Sequence, residues 1–333
     1  MIDLHLHLDG SLNEEDFLYL SKLQGISLGD DFPQNIYVPD DCPSLESYLE
    51  RFDLPLKLLQ TKESINYAVK SLVKRLYDAG FIYTEIRFAP LLHMQNGLPQ
   101  MDVALAALKG LEEGLKECPG FDANLILCCM RHAEEDMNMA TIEVANRLKG
   151  TKVVAVDLAG AEKLHPSNYY AKIFNRAKEC GLNITIHAGE ATGSDEIMMA
   201  LDNGAMRIGH GVHLSLDEET VKRVKKNNIC FEFCPSSNLQ TKSLKEYKDV
   251  PLIQFMELGI PVTINSDNMT VSHTDVTREF VHMMDTFNLE KGEVKKLLLN
   301  SIEYAFIGNK QKEKLKKELD LKIDPFYEKI TKR

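Results

Sequence analysis

Residues 2–7 read Ile2-Asp3-Leu4-His5-Leu6-His7, followed at once by Leu8-Asp9-Gly10-Ser11. Aliphatic residues recur at every second position, which specifies a β-strand, and successive strand side chains point to opposite faces. His5 and His7 therefore share one face, while Ile2, Leu4, Leu6 and Leu8 fill the other. Imidazole nitrogen is a common zinc ligand. A His-x-His pair alone is a weak signal, so its meaning depends on what distant parts of the chain bring to the same place.

Outward from this run, further short β-type runs recur at 82–88, 124–130, 152–158, 183–187, 206–210, 229–233 and 261–266. Helical patterns separate them at 99–117, 134–149, 168–179, 194–203, 217–227 and 250–258. Eight strands alternating with helices in 333 residues point to an α/β fold, a closed parallel (β/α)8 TIM barrel. An open doubly wound sheet is the other arrangement of such a pattern, but no Gly-x-Gly-x-x-Gly turn follows an early strand. The chain reads as a single barrel domain over 1–333, with no linker, repeat or low-complexity tract to divide it. Its first crossover, about 8–81, is long and holds extra helices. Within it Leu45, Tyr48, Leu49 and Phe52 fall at i, i+3, i+4 and i+7, one apolar stripe on a helix. That stripe either packs onto the barrel or forms an apolar lid over its mouth. Residues 288–333 read as terminal helices with a solvated Lys/Glu face.

Hydrophobic residues make up 44% of the chain and charged residues 27%, the balance of a globular protein with a sizeable core. A net charge of −11 argues against nucleic acid as a partner and favours a small neutral or cationic substrate. The seven cysteines (42, 118, 128, 129, 180, 230 and 234) form no C-x-x-C pair. An odd number without a leader-like start leads us to expect a reducing cytoplasm. No apolar stretch approaches a membrane span, so no membrane partner is expected, and the oligomeric state is left open.

Barrel active sites lie at the C-terminal ends of the strands. Strand one ends in His5-Leu6-His7, strand five in His187-Ala188-Gly189-Glu190, strand six in Gly209-His210-Gly211, and strand eight in Asn265-Ser266-Asp267-Asn268. Three imidazoles and a carboxylate, His5, His7, His187 and Asp267, can hold one zinc ion and leave a position open for water. Such an ion lowers the pKa of water toward neutrality. Glu190 follows His187 by three residues and can face the same cavity without being a ligand, or it can serve as an acid at a helix start. His210 can orient or deprotonate the water, or be a hydrogen-bonded core histidine; the flanking Gly209 and Gly211 favour the former by allowing close approach. His93, His132, His165, His213, His273 and His282 fall outside the strand-end pattern and read mostly as structural or surface residues.

His5-Leu6-His7-Leu8-Asp9-Gly10-Ser11, Asp157-Leu158-Ala159-Gly160, His187-Ala188-Gly189-Glu190, Arg207-Ile208-Gly209-His210-Gly211, Cys234-Pro235-Ser236-Ser237-Asn238 and Asn265-Ser266-Asp267-Asn268 resemble the motifs of the adenosine deaminase family, in order. That family belongs to the metal-dependent amidohydrolases, and the resemblance runs from residue 1 to about 305. It implies a single Zn2+ per chain on His5, His7, His187 and Asp267, and hydroxide attack at C6 of adenosine or 2′-deoxyadenosine with release of ammonia. It implies that Glu190 protonates purine N1, that His210 and Asp267 hold and deprotonate the water, and that the Gly160 N–H meets N3. Substrate contacts are implied for His7 and Asp9, the latter on a ribose hydroxyl, and for Leu45, Tyr48, Leu49 and Phe52 in a hydrophobic lid.

One position departs from the family pattern. Many members carry two aspartates where this chain has Asp267-Asn268. The second faces purine N7, an acceptor, to which an aspartate donates only when protonated and an Asn amide donates at any pH. Deamination of adenine, AMP or an N6-substituted purine is the alternative within the class, and Asp9 favours a nucleoside because base-specific members tend to carry Glu there. A binuclear amidohydrolase or phosphoesterase would want a Lys near the end of strand four, where Asp157-Leu158-Ala159-Gly160 offers none and Lys163 comes late. A homologue that binds without catalysis is the third possibility, against which every ligand and acid–base position is filled.

Overall fold

The computed structural model describes residues 1–39, 42–43 and 45–332, with Leu45 and Glu46 as backbone only. Eight strands, β1 Ile2–His7, β2 Tyr83–Phe88, β3 Asp122–Met130, β4 Val153–Ala159, β5 Asn183–Ala188, β6 Arg207–His210, β7 Cys230–Phe233 and β8 Val262–Ile264, lie in sequence order. Every neighbouring pair is parallel, and helices connect them, so the fold is a (β/α)8 barrel. The expected strands lie within two residues of those observed; β3 begins two residues early and β8 ends two residues early. At that seam side chains take over the ladder. Asn265 Oδ1 accepts the Leu4 N–H at 3.1 Å, and the Asp3 carboxylate accepts the N–H groups of His5 and Ser266 at 3.0 and 3.2 Å. The barrel then closes just beyond β8, where His7 N donates to Asp267 O at 2.7 Å and Asp267 N to His5 O at 2.8 Å. Closure therefore fixes Asp267 beside both β1 imidazoles.

Helix Lys62–Asp78 begins at Thr61, whose side chain caps the Ser64 N–H, and buries Ile65, Ala68, Val69, Leu72, Val73 and Leu76. It is the ordinary crossover from β1 to β2, so the unusual part of segment 8–81 is its first two-thirds. It lies flush on helix Gln100–Glu117 because Gly110 has no side chain: a Cβ there would come 2.3 Å from the Asn66 carbonyl oxygen. The stripe expected over 45–52 forms one helical turn, Leu45–Leu49, tightens over Glu50–Phe52, and runs on as helix Asp53–Leu58.

Besides the short helix Pro235–Gln240, helix Val276–Phe287 lies where the sequence reading places none. Its polar first turn masks the apolar stripe of Val276, Phe280 and Met283, and Asp275 caps it by accepting the Arg278 N–H at 3.0 Å. Helices Lys291–Tyr304 and Asn309–Thr331 follow, and the second buries Leu315, Leu319, Ile323, Phe326 and Ile330 beneath its charged face. Among the described residues no helix is long and apolar enough to cross a membrane.

Candidate active site

The barrel interior below the strand ends is ionic where such barrels usually carry branched aliphatics. Arg87 of β2, fully buried, donates from Nη1 to Asp157 of β4 at 3.1 Å and from Nη2 to Glu232 of β7 at 2.8 Å. Arg207 of β6 meets Glu232 at 2.5 Å and Glu85 at 2.6 Å. These carboxylates orient the imidazoles above them. Glu232 Oε2 lies 2.7 Å from His5 Nδ1, and Asp157 Oδ1 lies 3.1 Å from His187 Nδ1. A proton on each Nδ1 leaves both Nε2 lone pairs aimed into the barrel mouth, the arrangement that supports ligating histidines.

Those lone pairs converge. His7 Nε2 is 3.2 Å from His187 Nε2 and 3.5 Å from Asp267 Oδ1, while His5 Nε2 is 3.6 Å from the same oxygen. Ligand atoms about 2.0–2.1 Å from a tetrahedral zinc are separated by about 3.3 Å, so these spacings fit one ion. His5 Nε2 is buried with no hydrogen-bond partner, the state of a donor atom that needs something between it and its neighbours. Burial lowers the proton affinity of His5 and His7, keeping them neutral as ligation requires, whereas Asp267 is held well below the usual carboxylate range by the His5 contact despite its burial. His187 goes the other way: burial opposes protonation, but Asp157 more than offsets it and raises its pKa. The two groups of ligand-type residues found among the described residues, His5-His7-His187 and His5-His210-Asp267, share His5 and form one locus.

Beside this locus stand the two acid–base candidates. His210 Nε2 lies 3.7 Å from Glu190 Oε2, and His210 Nδ1 is 3.2 Å from the Asn238 amide. Thr241 donates its hydroxyl to Glu190 Oε1 at 3.1 Å. His210 and Asp267 have φ of 61° and 59°, the left-handed region that costs a non-glycine residue about 1–3 kcal/mol and concentrates at functional sites. Gly209 is required by the site, since a Cβ there would stand 2.9 Å from His5 Cε1.

His7, His187, Asp267, His210, Glu190 and Thr241 line a cavity of about 370 Å³, the size of a small-ligand site. Asp9, Gly160, Asn268, Tyr48, Leu49 and Phe52 line it as well. Leu45, expected with them, lies outside the described side chains. Asp9 sits in the turn Asp9–Ser11 with Oδ1 buried and unpartnered, and burial pushes its carboxyl up to about 6. Tyr48 is more than apolar wall: its hydroxyl receives the Asn268 Nδ2 hydrogen at 2.9 Å and lies 2.8 Å from Ser272 Oγ. Leu49 lines the cavity while remaining 43% exposed. His132 and His165, read from sequence as mostly structural or surface residues, line the cavity from the loops that follow β3 and β4. Sequence reasoning also missed Arg87 and Glu232, although a charge at alternate positions inside Tyr83-Thr84-Glu85-Ile86-Arg87-Phe88 and Cys230-Phe231-Glu232-Phe233 was the available signal.

The adenosine deaminase family model matches residues 1–322. An adenosine deaminase of Haemophilus ducreyi is 44% identical over 324 residues, which span 95% of this chain and 94% of that protein. The crystal structure of an adenine deaminase from Arthrobacter aurescens superposes with a TM-score of 0.87 at 24% identity, over 97% of this chain and 98% of the other. An N6-methyl-AMP deaminase from Arabidopsis thaliana gives a TM-score of 0.84 at 24% identity, with 96% of each chain covered. At that identity the two structures speak to the fold. The match over nearly the whole length, together with the Haemophilus relative, places this chain in the adenosine deaminase family.

Proposed function

We propose that this hydrolase converts adenosine and 2′-deoxyadenosine to inosine and 2′-deoxyinosine, with one zinc ion held by His5, His7, His187 and Asp267. When bound, the ion supplies the Lewis acidity that makes a water nucleophilic at neutral pH. His210 takes a proton from the attacking water as oxygen adds to C6, and Asp267 orients that water. Glu190 gives its proton to N1, so the ring accepts the tetrahedral centre without building negative charge; His210 then passes its proton to the amino group, which leaves as ammonia, while the C6 hydroxyl returns a proton to Glu190 as the carbonyl forms. The observation that carries this reading is the facing pair His210 and Glu190, 3.7 Å apart beside the ligand cluster. Gly160 N–H meets N3, the second Asn268 amide hydrogen meets N7, and the segment 8–81 supplies the lid of a single-domain barrel. A reducing, cytoplasmic setting is supported by Cys118, Cys128, Cys129, Cys180, Cys230 and Cys234, which are free thiols.

Two features favour a nucleoside over a base or nucleotide. The unpartnered Asp9 Oδ1 wants a donor, which a ribose hydroxyl provides; a free base has no sugar hydroxyl to supply it. Among the described cavity-lining residues Asp9 and Asp53 supply charge near the mouth, and none is Lys or Arg to pair a phosphate. Rates on adenosine, 2′-deoxyadenosine, adenine and AMP test the proposal: both nucleosides should lead, and it fails if adenine or AMP is turned over far better. Asp53→Lys should raise kcat/KM for AMP relative to adenosine about tenfold, or 1.4 kcal/mol. An unchanged ratio removes Asp53 from specificity.

Asn268→Asp should make binding of a nonreactive purine riboside fall as pH rises, because the introduced carboxyl donates to N7 only while protonated. The parent protein should lack that dependence. Identical binding profiles for the two proteins would contradict the Asn268–N7 contact.

A further inference from the structure

We propose that Glu162 is a positioning residue for this reaction: its carboxylate fixes the turn that presents Glu190 to the purine. The inference rests on the assignment of Glu190 as proton donor. Glu162 stands two residues past Gly160 on the loop after β4, is 4% exposed, and is absent from the cavity wall. Its Oε2 accepts the Gly189 N–H at 2.8 Å, and its Oε1 accepts the N–H groups of Thr192, at 2.6 Å, and of Ala191. One buried anion thus gathers three amides from the four residues 189–192, an arrangement that pins a loop more firmly than neutral turn bonds.

The same loop is gripped from its other polarity. Arg131, just past β3, donates from Nη2 to the His187 carbonyl at 2.6 Å and is itself paired with Glu196 at 2.9 Å. The segment between His187 and Thr192 is therefore held by a cation on a carbonyl and an anion on amides, with Glu190 between the two. Thr241 holds the carboxyl end of Glu190. Displacing a reacting group by about 1 Å can cost on the order of 100-fold in rate, so the anchor of this turn matters to the chemistry without touching substrate.

Glu162→Gln keeps the shape but turns one carboxylate oxygen into an NH2 that faces a backbone N–H. In zinc-loaded protein it should lower kcat for adenosine about tenfold or more, with KM changed less than about threefold. Metal content and thermal midpoint should match the parent, and amide exchange should quicken in the peptide spanning 188–193. Placed in a Glu190→Gln background, the same change should lower kcat by no more than about twofold, because its effect passes through Glu190. Equal losses in both backgrounds, or an unchanged kcat, overturn the inference. If Glu162→Gln does not fold, Glu162→Asp takes its place and must show a smaller kcat loss with the same non-additivity; a full rate or additive losses overturn it equally. A near-normal rate for Glu190→Gln alone would remove the proton-donor assignment, whereas a full rate for Glu162→Gln beside a crippled Glu190→Gln removes only the role of Glu162.

Discussion

Glu190→Gln should bind one zinc per chain, melt like the parent protein and lose about 100- to 10,000-fold in kcat, the range for removing a positioned general acid. The substitution is nearly isosteric, and the Thr241 hydroxyl that meets Glu190 Oε1 at 3.1 Å can bond an amide as well as a carboxyl. Glu190 is no part of the ligand cluster, so metal content should hold. What is lost is the proton for N1. Without it, attack at C6 builds negative charge on the ring in a cavity whose other carboxylates, Asp9, Asp53 and Asp267, disfavour it. KM should move little, since the contact strengthens in the transition state. Steady-state rates with metal analysis check the outcome, and a near-normal rate excludes the role.

Arg87→Met should be the most destabilising single change in the barrel interior. Arg87 is fully buried and binds Asp157, Glu232 and the Leu4 carbonyl at 3.1, 2.8 and 2.7 Å. Replacing a whole buried ion cluster by apolar residues can be neutral, but removing one partner strands the others and costs about 3–5 kcal/mol. Here Asp157 loses its arginine partner and Glu232 one of its two, and these are the carboxylates that orient His187 and His5. Zinc affinity should therefore fall about 10- to 100-fold as well. Thermal unfolding should show a midpoint lower by roughly 5 °C, and competition with a chelator reads the affinity. Parent-like values in both would mean that the network neither supports the barrel nor tunes the site.

Much of this site is legible along the chain because strand ends carry it. The alternation of Ile2, Leu4 and Leu6 with His5 and His7 sets strand, face and ligand geometry together, and Gly189, Gly209 and Gly211 mark where backbone must turn or approach. The ionic floor was harder to read. Arg87, Glu232 and Asp157 are far apart in sequence, and only closure of the barrel makes them neighbours. Tyr48 read as apolar because spacing reports the face a residue occupies, not what its hydroxyl meets. Asn265 likewise explains a short β8 only once the Leu4 N–H is seen to prefer its side chain. Glu162 carried no signal beyond its place near Gly160, since its partners are backbone amides of another loop.

The most direct test of zinc-dependent adenosine deamination is adenosine turnover as zinc is titrated into metal-free protein. The account predicts no deamination without metal, a linear rise in ammonia release, and a break at one equivalent per chain. A break at two equivalents, or no deamination of adenosine at any zinc level, would contradict it.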